Sequence, residues 1–264
     1  MSILRHKLSN SSMNTPEGWD LSGKKAVISA DRRGWTSSLA GALAEAGADV
    51  AIIGSENSDM KEASISASKY GNKVICQTTD LLSKDSIDGA IQNILDDFET
   101  IDILVNNAKA NFGKRFEKVT ELEFDNLMDF NFKSIFLTCQ AVGVTMLKNQ
   151  KGHIINITSD LSVRGLWNSV VACSSEGAIH QLTSSLALEW GRDGIRVNGI
   201  GAGWLSTKHR PEGEEPNLLE RYLPSRKIGH PDDLTQILVY LSSDSCDFVN
   251  GQTLFIDGGA LAHA

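Results

Sequence analysis

The chain has 264 residues, of which 41% are hydrophobic and 22% are charged, and its formal net charge is −8. This composition is typical of a globular protein and excludes wholesale disorder and collagen-like structure. The acidic balance without long basic runs argues against nucleic acid or a membrane as a partner, and no apolar run approaches the roughly 18 residues of a membrane span.

The first 18 residues are polar, and we predict a flexible tail at 1–18 in front of one domain at 19–264. The tail lacks the apolar segment of a secretory signal. The four cysteines are far apart, and the six histidines show no spacing typical of metal ligands. We therefore expect a cytoplasmic protein without disulfides and without a bound metal.

Short apolar runs and segments of helical periodicity alternate along the domain. The runs predict strands at 24–30, 49–54, 73–80, 101–108, 152–159, 195–203 and 253–259. The segments between them predict helices at 37–48, 59–70, 84–98, 121–148, 169–190 and 231–242. Because the strands are apolar throughout rather than alternating, both faces of their sheet must be covered. The pattern predicts a single-domain α/β fold, a doubly wound parallel sheet with helices on both faces.

Residues 205–226 break this alternation with a charged stretch that contains proline, glycine and glutamate. In a doubly wound sheet the ligand crevice lies at the carboxyl ends of the strands. A long insertion after the sixth strand is typical of a lid, so we predict that residues 205–226 cover a small-molecule site at this edge.

Eight segments, in order and at the right spacing, resemble the short-chain dehydrogenase/reductase superfamily. They are ISADRRGWT at 28–36, Asp80-Leu81, NNAK at 106–109, Asn131, NITS at 156–159, SSEGAIHQLTSSLALEW at 174–190, RVNGIGAGW at 196–204 and FIDGG at 255–259. The resemblance implies a Rossmann-like fold, an NADP or NAD cofactor, and a homodimer or homotetramer formed through the helices at 121–148 and 169–190.

The glycine-rich loop departs from the family pattern TGxxxGxG. Ser29 and Gly34 match, but Ala30 and Thr36 stand where the other two glycines would be, and Trp35 lies beside the expected pyrophosphate. Either the loop has lost its ligand, or it still binds and Arg33 contacts a phosphate. These departures predict weakened or lost binding of the dinucleotide.

The rest of the cofactor site is implied by the resemblance. Its residues are Asp80 and Leu81 beside the adenine, then Asn107, Ala108, Lys109 and Gly203. Lys109 stands where the family has a glycine. It is either a solvated surface residue or a group that fills or neutralises an altered cofactor site. Ser55, after the second strand, offers neither a carboxylate for a ribose nor a cation for a 2′-phosphate.

The catalytic positions depart furthest from the family. Ser159 matches the serine that orients the carbonyl, and Asn131 matches the asparagine of a water relay. Ala172 stands at the tyrosine position and Glu176 at the lysine position. Alanine cannot supply the proton that carbonyl reduction needs, so we expect ordinary chemistry of this kind to be lost. Tyr222, in the predicted lid, is a candidate substitute donor.

Three further residues are predicted to line the substrate pocket. They are Asp160, Trp167 and Trp204. The two tryptophans, with Trp35, form either an aromatic wall for a ligand or a filling of the pocket after loss of the cofactor.

Three functions are compatible with these residues. The favoured hypothesis is a repurposed pocket for a non-redox step such as elimination, hydration or hydrolysis. The first alternative is a catalytically silent relative that assembles with or regulates an active one. The second alternative is an NAD(P)-dependent oxidoreductase with an unconventional proton donor, namely Ser159, Tyr222 or water.

Overall fold

The computed structural model describes residues 16, 18–30, 33–208, 215 and 217–262. Nearly all of the predicted tail therefore lies outside the described residues. So do Asp31 and Arg32 of the glycine-rich loop, and residues 209–214 and 216 of the predicted lid.

Seven parallel strands form one sheet in the order β3-β2-β1-β4-β5-β6-β7. The strands are β1 (Lys25–Ser29), β2 (Asp49–Gly54), β3 (Val74–Thr78), β4 (Ile103–Asn106), β5 (Gly152–Ser159), β6 (Ile195–Ala202) and β7 (Thr253–Ile256). The order of the strands reverses between β1 and β4. This is the switch point at which doubly wound sheets open a crevice at their carboxyl edge.

Eight α-helices surround the sheet in the described part of the chain. They are α1 (Thr36–Glu45), α2 (Met60–Ala67), α3 (Lys84–Phe98), α4 (Glu121–Met128), α5 (Ser134–Asn149), α6 (Val170–Trp190), α7 (Leu218–Tyr222) and α8 (Thr235–Ser242). Helices α1, α2 and α8 pack on one face of the sheet, and α3, α5 and α6 pack on the other. The apolar strands are buried between these two layers, which confirms the predicted fold class.

The predicted helix at 121–148 contains a break in its regular geometry. It consists of α4, a π-helical turn at Asp129–Lys133, and α5. A π turn accommodates one additional residue per turn and is frequent at functional sites. Here it carries Asn131, whose side chain is buried.

The predicted helix at 231–242 also begins differently. Its first residues, Pro231–Leu234, form a 3₁₀ turn before α8. The first N–H groups of a helix have no hydrogen-bond partner within it. Proline, which has no N–H, therefore costs no hydrogen bond at this position.

One continuous helical stretch, Glu121–Asn149, is long and apolar enough to cross a membrane by length and composition alone, and 44% of the relevant window is buried inside the structure. Polar residues interrupt this stretch, so it does not contain the uninterrupted apolar run that was sought in the sequence. The packing of α5 on the sheet accounts for its apolar character.

Candidate active site

Two cavities open at the carboxyl edge of the sheet, one on either side of the crevice. The first has a volume of about 460 Å³ and is lined by Arg33, Trp35, Lys109, Ala110, Asn111, Phe112, Gly113, Asn131, Thr158, Ser159, Asp160, Leu161, Leu166, Ser169, Ala172, Glu176, Ala202, Gly203, Trp204 and Leu205. The second has a volume of about 440 Å³ and is lined by Ala30, Arg33, Ser55, Ser58, Thr79, Asp80, Leu81, Leu82, Lys109, Ala110, Asn111 and Phe130. The two share Arg33, Lys109, Ala110 and Asn111, so they form one two-part cleft.

The loop between β1 and α1 brings a cation to the junction of the two cavities. Gly34 has φ +80°, a left-handed conformation that a side chain would strain. Immediately before this glycine, the Arg33 guanidinium donates to the carbonyl oxygen and Oδ1 of Asn107 at 2.7 and 3.1 Å. It also stacks on the Trp35 ring at 3.8 Å. Arg33 and Trp35 therefore form one rigid unit at the crevice.

The end of β4 is fixed to the end of β1 by a shared hydroxyl. Ser29 Oγ accepts hydrogen bonds from the N–H groups of Asn107 and Ala108 at 2.9 and 3.1 Å. The Asn107 side chain donates to Thr36 Oγ1 at 3.1 Å. The predicted cofactor residues Ser29, Asn107 and Ala108 thus hold the backbone from which Lys109 projects.

Lys109 is buried, contrary to a solvated surface lysine. Its side chain is 4% exposed, and its ammonium lies 2.6 and 2.5 Å from the two carboxylate oxygens of Glu176, which is 8% exposed. The hydroxyl of Thr158 donates to Glu176 Oε2 at 2.7 Å. The lysine comes from the end of β4, the glutamate from α6 and the threonine from β5. Together they form a buried ion pair in the wall of the first cavity.

Asn131 anchors the loop that follows Lys109. Its Oδ1 accepts from the Ala110 N–H at 2.8 Å, and its Nδ2 donates to the Ala110 carbonyl at 3.0 Å. Ser159 ends β5, where its Oγ accepts from the Leu161 N–H at 3.3 Å. Ala172 lies one turn before Glu176 on α6. The four predicted residues among these, Asn131, Ser159, Ala172 and Glu176, all line the first cavity.

A second charged pair lies on another part of the same cavity. Asp160 Oδ2 is 2.9 Å from Arg164 Nε, and the Arg164 guanidinium stacks on the Trp204 ring at 4.4 Å. Burial raises the pKa of the Asp160 carboxyl, and the neighbouring Arg164 opposes that shift. Tyr222 also contacts Trp204, edge-on, with ring centroids 6.2 Å apart.

Six predicted site residues are not part of the lining of either cavity. Four of them, Ser29, Gly34, Asn107 and Ala108, belong to the ends of β1 and β4 and the segments that follow these strands, and the other two are Tyr222 and Trp167. Tyr222 is 43% exposed and contacts Trp204 rather than lining the cleft. Trp167 is 82% exposed and lines a separate depression beside Phe116 and Val170. Gly203 does line the first cavity, but a side chain there would collide with the backbone of Asp257 at 2.5 Å, so packing alone requires glycine.

Two further groups of the cleft were not predicted from the sequence. Thr158 and the backbone of Ala110 were not predicted as site residues, although both hold predicted ones in place. Thr158 had one signal, because it precedes Ser159 at the end of a predicted strand. The described residues contain no cluster of three or more potential metal ligands, and the expectation that no metal binds stays a prediction.

The cleft fits a dinucleotide. Its second cavity lies beyond the ends of β2 and β3 and combines apolar Ala30 and Leu81 with polar Thr79 and Asp80, a suitable surface for a nucleoside. Arg33 adds a cation at the junction, where a pyrophosphate would lie. Against this, Asp59 Oδ2 already accepts the Thr36 N–H at the start of α1 at 3.1 Å. The backbone there offers fewer N–H groups to a phosphate, whereas the Arg33 side chain brings a positive charge to the junction.

Comparison with known proteins agrees with the geometry. Residues 29–260 match a family described as Enoyl-(Acyl carrier protein) reductase. The chain is 34% identical over 252 residues to a 2-dehydro-3-deoxy-D-gluconate 5-dehydrogenase of Bacillus subtilis, covering 93% of this chain and 98% of that one.

Solved structures with similar folds carry similar names. A short-chain type dehydrogenase/reductase from Mycobacterium marinum has a TM-score of 0.86 and 29% identity, covering 94% of this chain and 99% of that one. A gluconate 5-dehydrogenase from Burkholderia cenocepacia, in complex with NADP and tartrate, has a TM-score of 0.84 and 30% identity, covering 94% and 98%.

These similarities correct the functional hypothesis drawn from sequence. The relatives are named as dehydrogenases and reductases. The favoured hypothesis of a non-redox pocket is therefore wrong, and so is the alternative of a catalytically silent relative. Of the remaining alternative, the relatives favour the coarser part, an NAD(P)-dependent oxidoreductase, and the unconventional proton donor stays a prediction.

Proposed function

Since the chain belongs to the short-chain dehydrogenase/reductase superfamily, we propose that it is an NAD(P)-dependent oxidoreductase. It interconverts a secondary hydroxyl and a carbonyl group on a small hydroxylated acid. Its proton donor is a group other than a tyrosine. The observation that carries the proposal is the two-part cleft at the carboxyl edge of the sheet, with room for a nucleoside on one side and a reacting substrate on the other.

The second cavity would hold the adenosine end of the cofactor. Leu81 and Ala30 supply apolar surface for the base, and Asp80 and Thr79 supply polar groups beside it. Arg33, between the cavities, would bind the pyrophosphate by charge and hydrogen bonds. The Arg33 side chain is already held by Asn107 and Trp35, so little side-chain entropy is lost on binding.

The first cavity would hold the nicotinamide end and the substrate. When bound, the dinucleotide supplies or accepts the hydride at the substrate carbon. The Ser159 hydroxyl, oriented by the Leu161 N–H, would hydrogen bond to the substrate oxygen. Asn131 fixes the Ala110 backbone and thereby the adjoining wall.

The proton must come from elsewhere than a phenol. The chain has three tyrosines, and none of them lines either cavity. Ala172 occupies the wall where the family's tyrosine would project. Groups in the described wall that carry exchangeable protons include Ser159, Asp160, Lys109 and Thr158.

The names of two relatives and the residues of the wall support this substrate class. Two of the relatives act, by their names, on gluconate or a deoxygluconate derivative. The wall combines the charges of Arg33 and Asp160 with the rings of Trp35 and Trp204. A wall that combines charged groups with flat rings suits a short polyhydroxylated chain that ends in a carboxylate.

Binding and turnover test the proposal separately. Calorimetric titration of NADP⁺ and NAD⁺ into the unchanged chain should give micromolar affinity for one of them, with quenching of tryptophan fluorescence because Trp35 lies at the junction. Oxidation of D-gluconate and related sugar acids should then produce reduced cofactor. We expect Ser159→Ala to lower kcat by about 10²–10³ while dinucleotide affinity stays within about threefold.

A matched control is the ion pair Lys25–Asp49, 2.5 Å long, at the amino ends of β1 and β2. Lys25→Met with Asp49→Asn should leave kcat unchanged, because the pair lies at the opposite edge of the sheet from the cleft. Absence of binding at millimolar concentrations of both dinucleotides would refute the proposed function.

A further inference from the structure

Lys109, Glu176 and Thr158 form a buried charged cluster in the wall of the first cavity. We propose that Lys109 gives a proton to the substrate oxygen during reduction and takes it back during oxidation, with Glu176 and Thr158 as positioning residues. This inference rests on the proposed function, because it names the proton donor that the proposed function leaves open.

Stability does not explain why the pair is there. Lys109 and Glu176 are 4% and 8% exposed, and removing two such charges from water costs several kcal/mol each. Their mutual attraction roughly offsets that cost, and apolar residues of similar volume often do as well or better. A buried ion pair in a cavity wall therefore indicates a chemical role rather than a contribution to folding.

Lys109 lies between the two parts of the cleft, next to the space proposed for the substrate. Lys109 lines both cavities, so its side chain lies at the boundary between the nucleoside side and the substrate side. Glu176 contacts the ammonium with both carboxylate oxygens, and Thr158 fixes one of those oxygens at 2.7 Å. Ala172, one turn earlier on α6, is small enough to leave room beside the pair for a substrate oxygen or one bridging water.

The other proton-bearing groups are less suited. The Ser159 hydroxyl is an alcohol and a much weaker acid than an ammonium, and Tyr222 lies outside both cavities. Asp160 is engaged with Arg164 at 2.9 Å on another part of the wall. Lys109 combines burial, a fixed orientation and a position at the boundary of the cleft.

The step balances in atoms and charge. During reduction, a hydride from a dihydronicotinamide forms the new C–H bond at the carbonyl carbon, and the C=O π electrons move to oxygen. A proton leaves Lys109 Nζ and forms the O–H bond, directly or through one water. The products are a secondary alcohol, an oxidised nicotinamide and a neutral amine, which regains a proton from solvent. Oxidation reverses each transfer.

The test removes the pair without leaving an unpaired charge. The double variant Lys109→Met/Glu176→Leu should fold with undiminished thermal stability and bind the dinucleotide, by calorimetry, within about threefold of the unchanged chain. Its kcat should fall by about 10²–10⁴, the usual contribution of a positioned acid or base. Lys25→Met/Asp49→Asn is the matched control and should retain full kcat.

Chemical rescue separates proton transfer from packing. In Lys109→Ala, added methylamine or ethylamine should restore at least about a tenth of the lost kcat, with saturation. Tetramethylammonium, which has a charge but no transferable proton, should restore nothing. A purely structural lysine would give equal rescue by both cations or none by either.

Three outcomes would overturn the inference while leaving the proposed function intact. In the first, the double variant keeps kcat within about threefold of the unchanged chain. In the second, Lys109→Ala binds the dinucleotide but no primary amine restores its kcat. In the third, Asp160→Asn loses turnover while the double variant remains fully active. If the unchanged chain binds no dinucleotide or has no turnover, the proposed function fails first and the inference fails with it.

Discussion

Replacing Lys109 with methionine should destabilise the fold, because it leaves the Glu176 carboxylate buried without its main cation. In the unchanged chain the ammonium lies within 2.6 Å of both carboxylate oxygens. After the substitution, the Thr158 hydroxyl still donates to one oxygen, but no charge compensates the carboxylate from the lysine position. Removing one partner of a buried pair typically costs about 3–5 kcal/mol.

We expect the lower end of this range, about 3 kcal/mol, because the pair lines a cavity. Water can enter that cavity and solvate the Glu176 carboxylate once the lysine is removed. For a chain of this size, 1 kcal/mol corresponds to roughly 2–4 °C in Tm, so Tm should fall by about 10 °C. The double variant Lys109→Met/Glu176→Leu removes both charges. It should be as stable as the unchanged chain or more stable, by up to about 2 kcal/mol.

Urea unfolding followed by circular dichroism measures these differences. Lys73→Met is the control, because its partner Asp97 is 50% exposed and Lys73 itself is 46% exposed. An exposed pair of this kind contributes about 0–1 kcal/mol. The reasoning is refuted if Lys109→Met costs no more than Lys73→Met, or if the double variant is as unstable as the single one.

Three further predictions concern pH, cofactor binding and assembly. Burial lowers the pKa of His153 from 6.5 to about 4. The unfolded chain therefore binds the proton first, and the free energy of unfolding should fall by up to about 3 kcal/mol as pH drops from about 6.5 to 4. H153Q should lack that part of the loss in urea unfolding, and parallel curves would contradict the assignment. Arg33→Met should weaken dinucleotide binding by about 10–100-fold in calorimetry, which is the contribution of a hydrogen bond to a charged group. Lys73→Met is the control and should leave the affinity unchanged. If Arg33→Met binds the dinucleotide as tightly as the unchanged chain does, Arg33 does not contact the pyrophosphate. We propose assembly through the two long helices, where Val144 on α5 and Leu188 on α6 are 67% and 86% exposed. Leu188→Glu should shift a dimer or tetramer to monomer in light scattering, and a monomeric unchanged chain would disprove this interface.

The fold could be predicted from sequence because each strand is a continuous apolar run. Residues 49–54 and 152–159 coincide with β2 and β5. The other predicted strands extend past the observed ends by one to four residues, as with β4, which ends at Asn106 instead of Ala108. The extra residues at the carboxyl ends, such as Asn107 and Ala108, are polar or small and leave the sheet at the edge where the crevice lies. The π turn at Asn131 was not predicted, because one additional residue in a single turn changes the spacing of apolar residues along the sequence too little to be recognised.

The site was only partly predictable, because its chemistry depends on contacts between distant parts of the chain. Ser159 and Asn131 lie where their motifs placed them. Lys109 and Glu176 were each recognised as departures from the family pattern. Because 67 residues separate them in the sequence, their contact could not be predicted. No local pattern relates the end of a strand to the second turn of a helix that follows it so much later.

The contact between Lys109 and Glu176 removes one of the reasons for which a comparison of motifs position by position gave the wrong function. At Glu176 alone, the sequence shows a positive charge replaced by a negative one, which would repel a dinucleotide. In the folded chain Lys109 brings an ammonium to within 2.6 Å of that carboxylate, so the pair carries no net charge. The relevant quantity is the summed charge of the cavity wall, and by that measure the wall remains compatible with an anionic cofactor. If this compensation is what preserves binding, Lys109→Met alone should weaken dinucleotide affinity, whereas Lys109→Met/Glu176→Leu should retain it. Calorimetry that finds the two variants equally weak would show that the carboxylate was never the obstacle.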